Sequence, residues 1–149
     1  MSNQHYLYLS SDDSMNYFPN NSHSDFHVKM INPSIFQCNQ LCGIISFQFY
    51  DSILLDNQTV ANNTSLNMYV CSDICQQSFV NDNMLPVLTR FNVKVNNDSA
   101  LKEIMISNPI YIPIVQFFKQ DIHLYIKGDE NRSISLTKGP TKLTLHLKY

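Results

Sequence analysis

The stretch that decides the fold is Thr141–Tyr149, "TKLTLHLKY". Leu143, Leu145 and Leu147 alternate with Lys142, Thr144, His146 and Lys148. A period of two is the mark of a strand with one buried face, so the leucines are expected inward and the polar set outward. The same signature recurs upstream. Tyr6–Ser10 reads as a short first strand, and Phe26, Val28 and Met30 alternate with His27 and Lys29. Leu41–Tyr50 is apolar on both faces, as in a central strand covered on both sides. Leu66–Ser72, Val87–Val95, Leu101–Ile106 and Asp121–Lys127 complete the series, with His123 and Tyr125 outward on the last of these. Phe47, Val93 and Leu124 join the three leucines as expected core. Asn96-Asn97-Asp98-Ser99 reads as a turn. Gln76–Met84 is the best helical candidate. About eight or nine strands with turn signals between them predict an all-β chain, a two-sheet antiparallel sandwich or single jelly roll spanning residues 1–149.

The chain has 149 residues, enough to bury a core without staples. Its hydrophobic share is 44%, its charged share only 15%, and its formal net charge −2. Ten scattered Lys and Arg form no basic face, so direct nucleic-acid binding is not expected. Asn, Ser, Gln and Thr supply the polarity instead, and a weakly charged surface favours association. With three Gly, the chain lacks phosphate-cradling loops and Asn-Gly hairpins. No apolar run approaches the roughly 20 residues of a membrane span, and "MSNQHYLYLSS" does not read as a signal peptide. The Asn-x-Ser/Thr matches at Asn20, Asn57, Asn62, Asn63, Asn97 and Asn131 then read as products of an Asn-rich composition.

Cys38, Cys42, Cys71 and Cys75 form two C-x-x-x-C pairs, a spacing zinc sites permit. Residues four apart on a strand lie about 13 Å apart, too far to share an ion, so reduced thiols and no metal are expected. "HSDFH" sets His23, Asp25 and His27 on one face of an extended segment, which reads as a solvated polar face; His123 and His146 read the same way. No nucleophile elbow, metalloprotease helix, phosphate loop or dinucleotide fingerprint occurs, so neither enzyme activity nor a cofactor is expected.

Between the first two strands lies a compact knot, Tyr17-Phe18-Pro19-Asn20-Asn21. Two roles are open to it. Tyr17 and Phe18 plug one end of the sandwich while Pro19 fixes a turn, or the knot is a subunit contact, since aromatics anchor interfaces.

Taken in order, several elements resemble the minor capsid, or penton, protein of Polinton/Maverick elements, adintoviruses and more distantly virophages. They are Ser14 with Tyr17-Phe18-Pro19-Asn20-Asn21 before Phe26, then Gly43 in the next strand. Asp73-Ile74 leads to Val80-Asn81-Asp82 and Pro86-Val87-Leu88, where Asn81 stands in place of a family Gly, a swap that positive φ tolerates. Tyr111-Ile112-Pro113-Ile114 and the closing Gly139 with Leu143-Thr144-Leu145-His146-Leu147 follow. The strand carrying Gly43 lacks the family's Trp. The resemblance implies a single jelly roll that closes the five-fold vertex of an icosahedral shell. It implies a homopentamer, a major capsid protein as partner, and residence in a virion assembled inside the host cell rather than secretion. Loops Asn16–Ser24 and Gln76–Pro86 are then expected near neighbouring subunits. Two other readings stay open. One is a host-retained penton relative. The other is a soluble oligomeric jelly-roll binding module, either tumour-necrosis-factor-like or carbohydrate-binding, with Tyr69 and Tyr125 as candidate stacking residues.

Overall fold

A computed structural model describes residues 4–117 and 119–149. Its strands are β1 (His5–Ser10), β2 (Asp25–Lys29), β3 (Leu41–Tyr50), β4 (Ile53–Leu55), β5 (Gln58–Thr59), β6 (Thr64–Ser72), β7 (Ser78–Val80), β8 (Asn83–Leu85), β9 (Val87–Val95), β10 (Leu101–Met105), β11 (Ile112–Pro113), β12 (Asp121–Lys127), β13 (Ile134–Leu136) and β14 (Lys142–Lys148). Two short 3₁₀ turns, and no α-helix, occur among the described residues.

Of the two larger sheets, one runs β1-β14-β3-β10, with β11 added to β3, and the other runs β2-β12-β6-β9; β13-β4-β5 and β7-β8 form two smaller ones. The pairings have a simple logic. β1 pairs with β14, β2 with β12, β3 with β10 and β6 with β9, as in one long antiparallel ribbon folded at its middle. Rolling that ribbon brings β14 against β3 and β12 against β6. This is the jelly roll that the strand count suggested.

The core fills the space between the sheets. Phe47, Val93, Leu124, Leu143, Leu145 and Leu147 are all at most 7% exposed, so the register read from alternation holds. Phe47 of one sheet stacks on Phe91 of the other at 5.2 Å between centroids. β3 is apolar on both faces for two reasons. A bulge opposite Thr144 and Leu145 shifts its alternation. On its outer side Tyr111 lies over Gly43, where a Cβ would sit 3.1 Å from that ring.

Two sequence readings fail here. Gln76–Met84 is not helical; it contains β7 and most of the β7–β8 hairpin, turned at Asn81 with φ 54°. Runs this short carry weak periodicity. His146 is not solvated either. It is 8% exposed because Tyr6 stacks on it at 4.6 Å and Tyr111 Oη lies 2.7 Å from its Nδ1. The low glycine count does not prevent tight hairpins. β4 and β5 join through Asp56-Asn57, both at positive φ, the signature of a type I′ turn made without glycine.

A clamp ties the first loop to the last strand. Ser11 donates its N–H to the Thr141 carbonyl (2.8 Å), and its hydroxyl oxygen accepts from the Thr141 N–H (2.9 Å). The same hydroxyl is hydrogen-bonded to His23 Nδ1 at 2.8 Å. Gly139 packs against that imidazole so closely that a Cβ would lie 2.1 Å from Nδ1.

Gly139→Ala is expected to destabilise the chain by about 1–3 kcal/mol in chemical denaturation, because His23 must leave its place. His23→Ala should cost less in the Gly139→Ala background than alone; strict additivity would mean the clash is relieved elsewhere.

His146 carries a pH signature. Gln4 Oε1 accepts from its Nε2–H (3.0 Å) while Nδ1 accepts from Tyr111. Burial, and then the nearby Lys148 ammonium, hold its pKa below the ordinary value of 6.5. The unfolded chain therefore binds the extra proton more readily, and stability falls as pH drops below about 6.5. His146→Gln should show a shallower loss between pH 7 and pH 5 than the parent chain; identical slopes would exclude this residue as a source.

Candidate functional site

The 11–24 segment was the sequence's most conspicuous feature, and its geometry explains why. β2 is an edge strand, flanked only by β12. Its outer backbone groups would otherwise face water as a template for another strand. Three side chains and one main chain satisfy them. Ser14 Oγ accepts from the Lys29 N–H (2.9 Å). Asn21 works as a backbone surrogate: its Oδ1 accepts from the His27 N–H and its Nδ2 donates to the His27 carbonyl, both at 2.9 Å. Ser22 Oγ accepts from the Asp25 N–H (3.1 Å), and its own N–H donates to the Asp25 carbonyl (2.9 Å). The loop thus seals one edge of the sandwich.

The aromatic pair does not plug the core, contrary to that reading of the knot. Phe18 lies half-buried on the outer face of the sheet, stacked on the His27 ring at 5.2 Å. Tyr17 is 63% exposed, with Lys29 Nζ 4.1 Å from its ring centroid. Pro19 and Asn20 are exposed at the tip. Sealing β2 with Ser14 and Asn21 leaves the intervening residues no route into the core. With Ser22, Asp25 and His27 the knot lines an open cleft of about 500 Å³.

The register of β2 on β12 assembles what the sequence kept apart. His27 and His123 are directly opposite, and their rings stack at 4.2 Å, 3° from parallel. Each is held by a carboxylate of the other strand: His27 Nδ1–H donates to Asp121 (2.9 Å) and His123 Nε2–H to Asp25. Asp73 accepts from the His123 N–H (3.1 Å) and pairs with Lys119 (3.0 Å). Tyr125 closes against His123 at 4.7 Å. Diagonal pairs of this kind are a regular property of antiparallel neighbours. These groups are partly exposed, so their ionic part stabilises only modestly. His23 does not join them; it belongs to the clamp at Ser11.

The cysteines fall in different surroundings. Cys38 is exposed, while Cys42, Cys71 and Cys75 are buried. Desolvation, reinforced by the Cys75 thiol and only partly opposed by Lys127, pushes Cys71 up to about 12. Burial likewise pushes Cys75 up to about 12, although the Ser72 backbone opposes it. Cys42 is raised further still, by burial and by Cys75. Thiols so disfavoured as thiolates are poor nucleophiles. Among the described residues no group of three or more His, Cys, Asp or Glu is arranged to hold a metal ion. The two tyrosines named as stacking candidates are also occupied. Tyr69 is 8% exposed and donates to Asp129 (2.9 Å), and Tyr125 is half-buried under the β7–β8 hairpin.

What alternation did not reveal is the pattern of exposed apolar side chains. Phe79 (75%) and Met84 (53%) face each other across the β7–β8 hairpin. Leu101 (50%) and Met105 (72%) stand at opposite ends of β10 with Glu103 between them, and Ile110 (68%) lies beside Met105. There Ile104, Met105, Ile106 and Ile110 help line a groove of about 390 Å³.

Neither a family model nor a curated protein matches the chain. Among solved structures it is similar to the family 32 carbohydrate-binding module of C. perfringens NanJ in complex with galactose. That likeness has 12% identity and a TM-score of 0.27, and covers 95% of this chain and 93% of the other. At that level it says nothing about a ligand. Among the described residues no helix is long and apolar enough to cross a membrane.

Asn21→Ala is expected to cost about 1–2 kcal/mol, since two strand-edge groups lose their partners. Hydrogen exchange at the His27 amide should accelerate more than exchange at the core amides of β14. Uniform acceleration would show that Asn21 acts on the whole fold rather than on this edge. Asn21→Asp keeps the acceptor but sets a carboxylate oxygen against the His27 carbonyl, so it should be no milder than Asn21→Ala.

Proposed function

We propose that the chain is a structural shell protein, a penton-type jelly roll that closes a five-fold vertex of an icosahedral viral or Polinton-type particle as a homopentamer. The observation that carries this reading is a pair of unlike apolar patches on the surface. One is a protruding hairpin tip, Phe79 and Met84; the other is the groove beside Met105 and Ile110. A closed ring of identical subunits needs two different, complementary patches, one given and one received. A chain with 15% charged residues desolvates such patches at low cost, because few full charges leave water. The family resemblance of the sequence elements supports the same reading, and so does the jelly-roll strand order. In it, the tip of one copy seats against the groove of the next, and the major capsid protein surrounds the ring. The knot at Tyr17–Asn21 serves mainly to seal β2, with Tyr17 left free to contact a neighbour.

Light scattering at micromolar concentration should give about five times the 17.2 kDa chain mass. Phe79→Glu and Met105→Glu should each yield monomers with an unchanged melting temperature, both side chains being exposed. Mixing the two variants should give heterodimers, because each retains the patch the other lacks. A strictly monomeric parent chain would remove the ring, and a stable trimer would favour the ligand-like module.

A further inference from the structure

The tyrosines sort by what covers their rings. Tyr6 lies on His146, Tyr17 under Lys29, Tyr125 against His123, and Lys148 Nζ is 3.8 Å from the Tyr111 centroid. Tyr8 differs. It is 77% exposed, the highest value among the exposed aromatic side chains described, and, like the less exposed Tyr149 (51%), it carries no stacked ring or cation among the described residues. An uncovered aromatic ring beside a polar cleft offers an apolar face on which a flat ligand surface can stack.

Its surroundings define that surface. Tyr8 is opposite Thr144, and Thr144 is opposite Ser46, so the three share the outer face of the sheet. Lys142 and Gln48 form the next row, and Asp13 closes one end from the turn after β1. Together they line a shallow cleft of about 350 Å³. The hydrogen bonds within it leave a mixed set of free groups. Ser46 donates to Thr144 Oγ1 (3.0 Å), which leaves the Thr144 hydroxyl hydrogen to give and Ser46 lone pairs to accept. Gln48 Nε2 donates to Glu103 (2.8 Å), leaving Oε1. Asp13 Oδ2 accepts from the Ser10 N–H (3.0 Å), leaving Oδ1. Lys142 is exposed.

A single ammonium facing a carboxylate does not suit a phosphate or a nucleic acid, which call for concentrated positive charge. The cleft is too polar and shallow for an apolar side chain. One apolar face bordered by hydroxyls, each both donor and acceptor, describes a pyranose ring. We propose that this cleft binds one pyranose unit of a glycan, with the C–H face of the sugar on Tyr8 and its hydroxyls directed to Asp13, Gln48, Thr144 and Lys142. The inference is independent of the shell reading, since it uses neither apolar patch of the proposed ring.

The test is a titration of the ¹⁵N-labelled chain with the methyl pyranosides of glucose, galactose, mannose and N-acetylglucosamine, followed by amide shifts. At least one sugar should give saturable shifts confined to residues 8–13, 46–48 and 142–144. Tyr8→Ala should weaken that affinity about tenfold or more, Tyr8→Phe should keep it, and Tyr17→Ala should leave it unchanged. Tyr8 is exposed, so the core amides of its variants should overlay those of the parent. No saturable shift with any of the four sugars, shifts centred on the Tyr17 cleft instead, or undiminished binding by Tyr8→Ala would each overturn the proposal. The subunit mass, measured on the same samples, reports on the shell reading separately.

Discussion

Everything in this fold depends on the insertion of β14 between β1 and β3. That strand is hydrogen-bonded on both sides, to the beginning of the chain through the Leu7–Leu145 register and to its middle through Leu143–Phe47. Leu143, Leu145 and Leu147 are at most 3% exposed, and each contributes about 1.5–3 kcal/mol when withdrawn from water. Without β14 the ribbon cannot roll: β1 has no partner, and the sheet beginning at β1 is reduced to β3 with its β10 and β11 neighbours. The Ser11–Thr141 clamp sits where β14 begins and fixes the register of this closing strand at its first residues. Contacts so distant in sequence close late and slowly, because their loop entropy is lost before any burial rewards it.

Turning the ribbon so often normally demands glycine, and this chain has three. Asparagine takes over. Asn39, Asn57, Asn63, Asn81, Asn97 and Asn131 all adopt positive φ, whereas no described glycine does. Asn accepts that region because its short amide finds local hydrogen bonds. Asn97 shows the added benefit: its Oδ1 accepts from the Ile53 N–H and its Nδ2 donates to the Val60 carbonyl. Beside it, the buried Asp51 carboxylate accepts from the Asn96 and Asn97 N–H groups. The turns are thus specified by side-chain amides and carboxylates rather than by backbone freedom. The Asn-rich composition reflects this folding chemistry, which surface polarity alone does not explain.

Period-two alternation made the strands and their inward faces legible, because a buried face repeats locally and water enforces it at every second residue. What alternation could not carry was anything needing a partner. His27 and His123 are ordinary outward residues until β2 meets β12 in one particular register. His146 alternates as a polar residue yet is covered by Tyr6 and Tyr111 from two other segments. Gln76–Met84 hides its strands because they are three residues long and take their stability from packing on Tyr69, Cys71 and Tyr125, not from their own pattern. The Tyr17–Asn21 knot stands out in the sequence by its aromatic pair, but the edge is sealed by Asn21 and the flanking serines. Side-chain bonds to a strand edge leave no periodic trace.

The edges then explain how the surface is arranged. A sandwich has four edge strands, here β1, β10, β2 and β9. The chain devotes some ten residues before β2 to sealing one of them with Ser14, Asn21 and Ser22. β9 is guarded differently, by the alternating polar side chains of Arg90, Asn92 and Lys94, which discourage a flat second strand. β10 follows neither course: it is short and carries exposed Leu101 and Met105. That contrast is coherent if association is to occur at one place and in one orientation. In the proposed ring, sealing β2 would suppress the unproductive contact and the apolar side chains beside β10 would supply the productive one, so specificity would come from what is blocked as much as from what attracts.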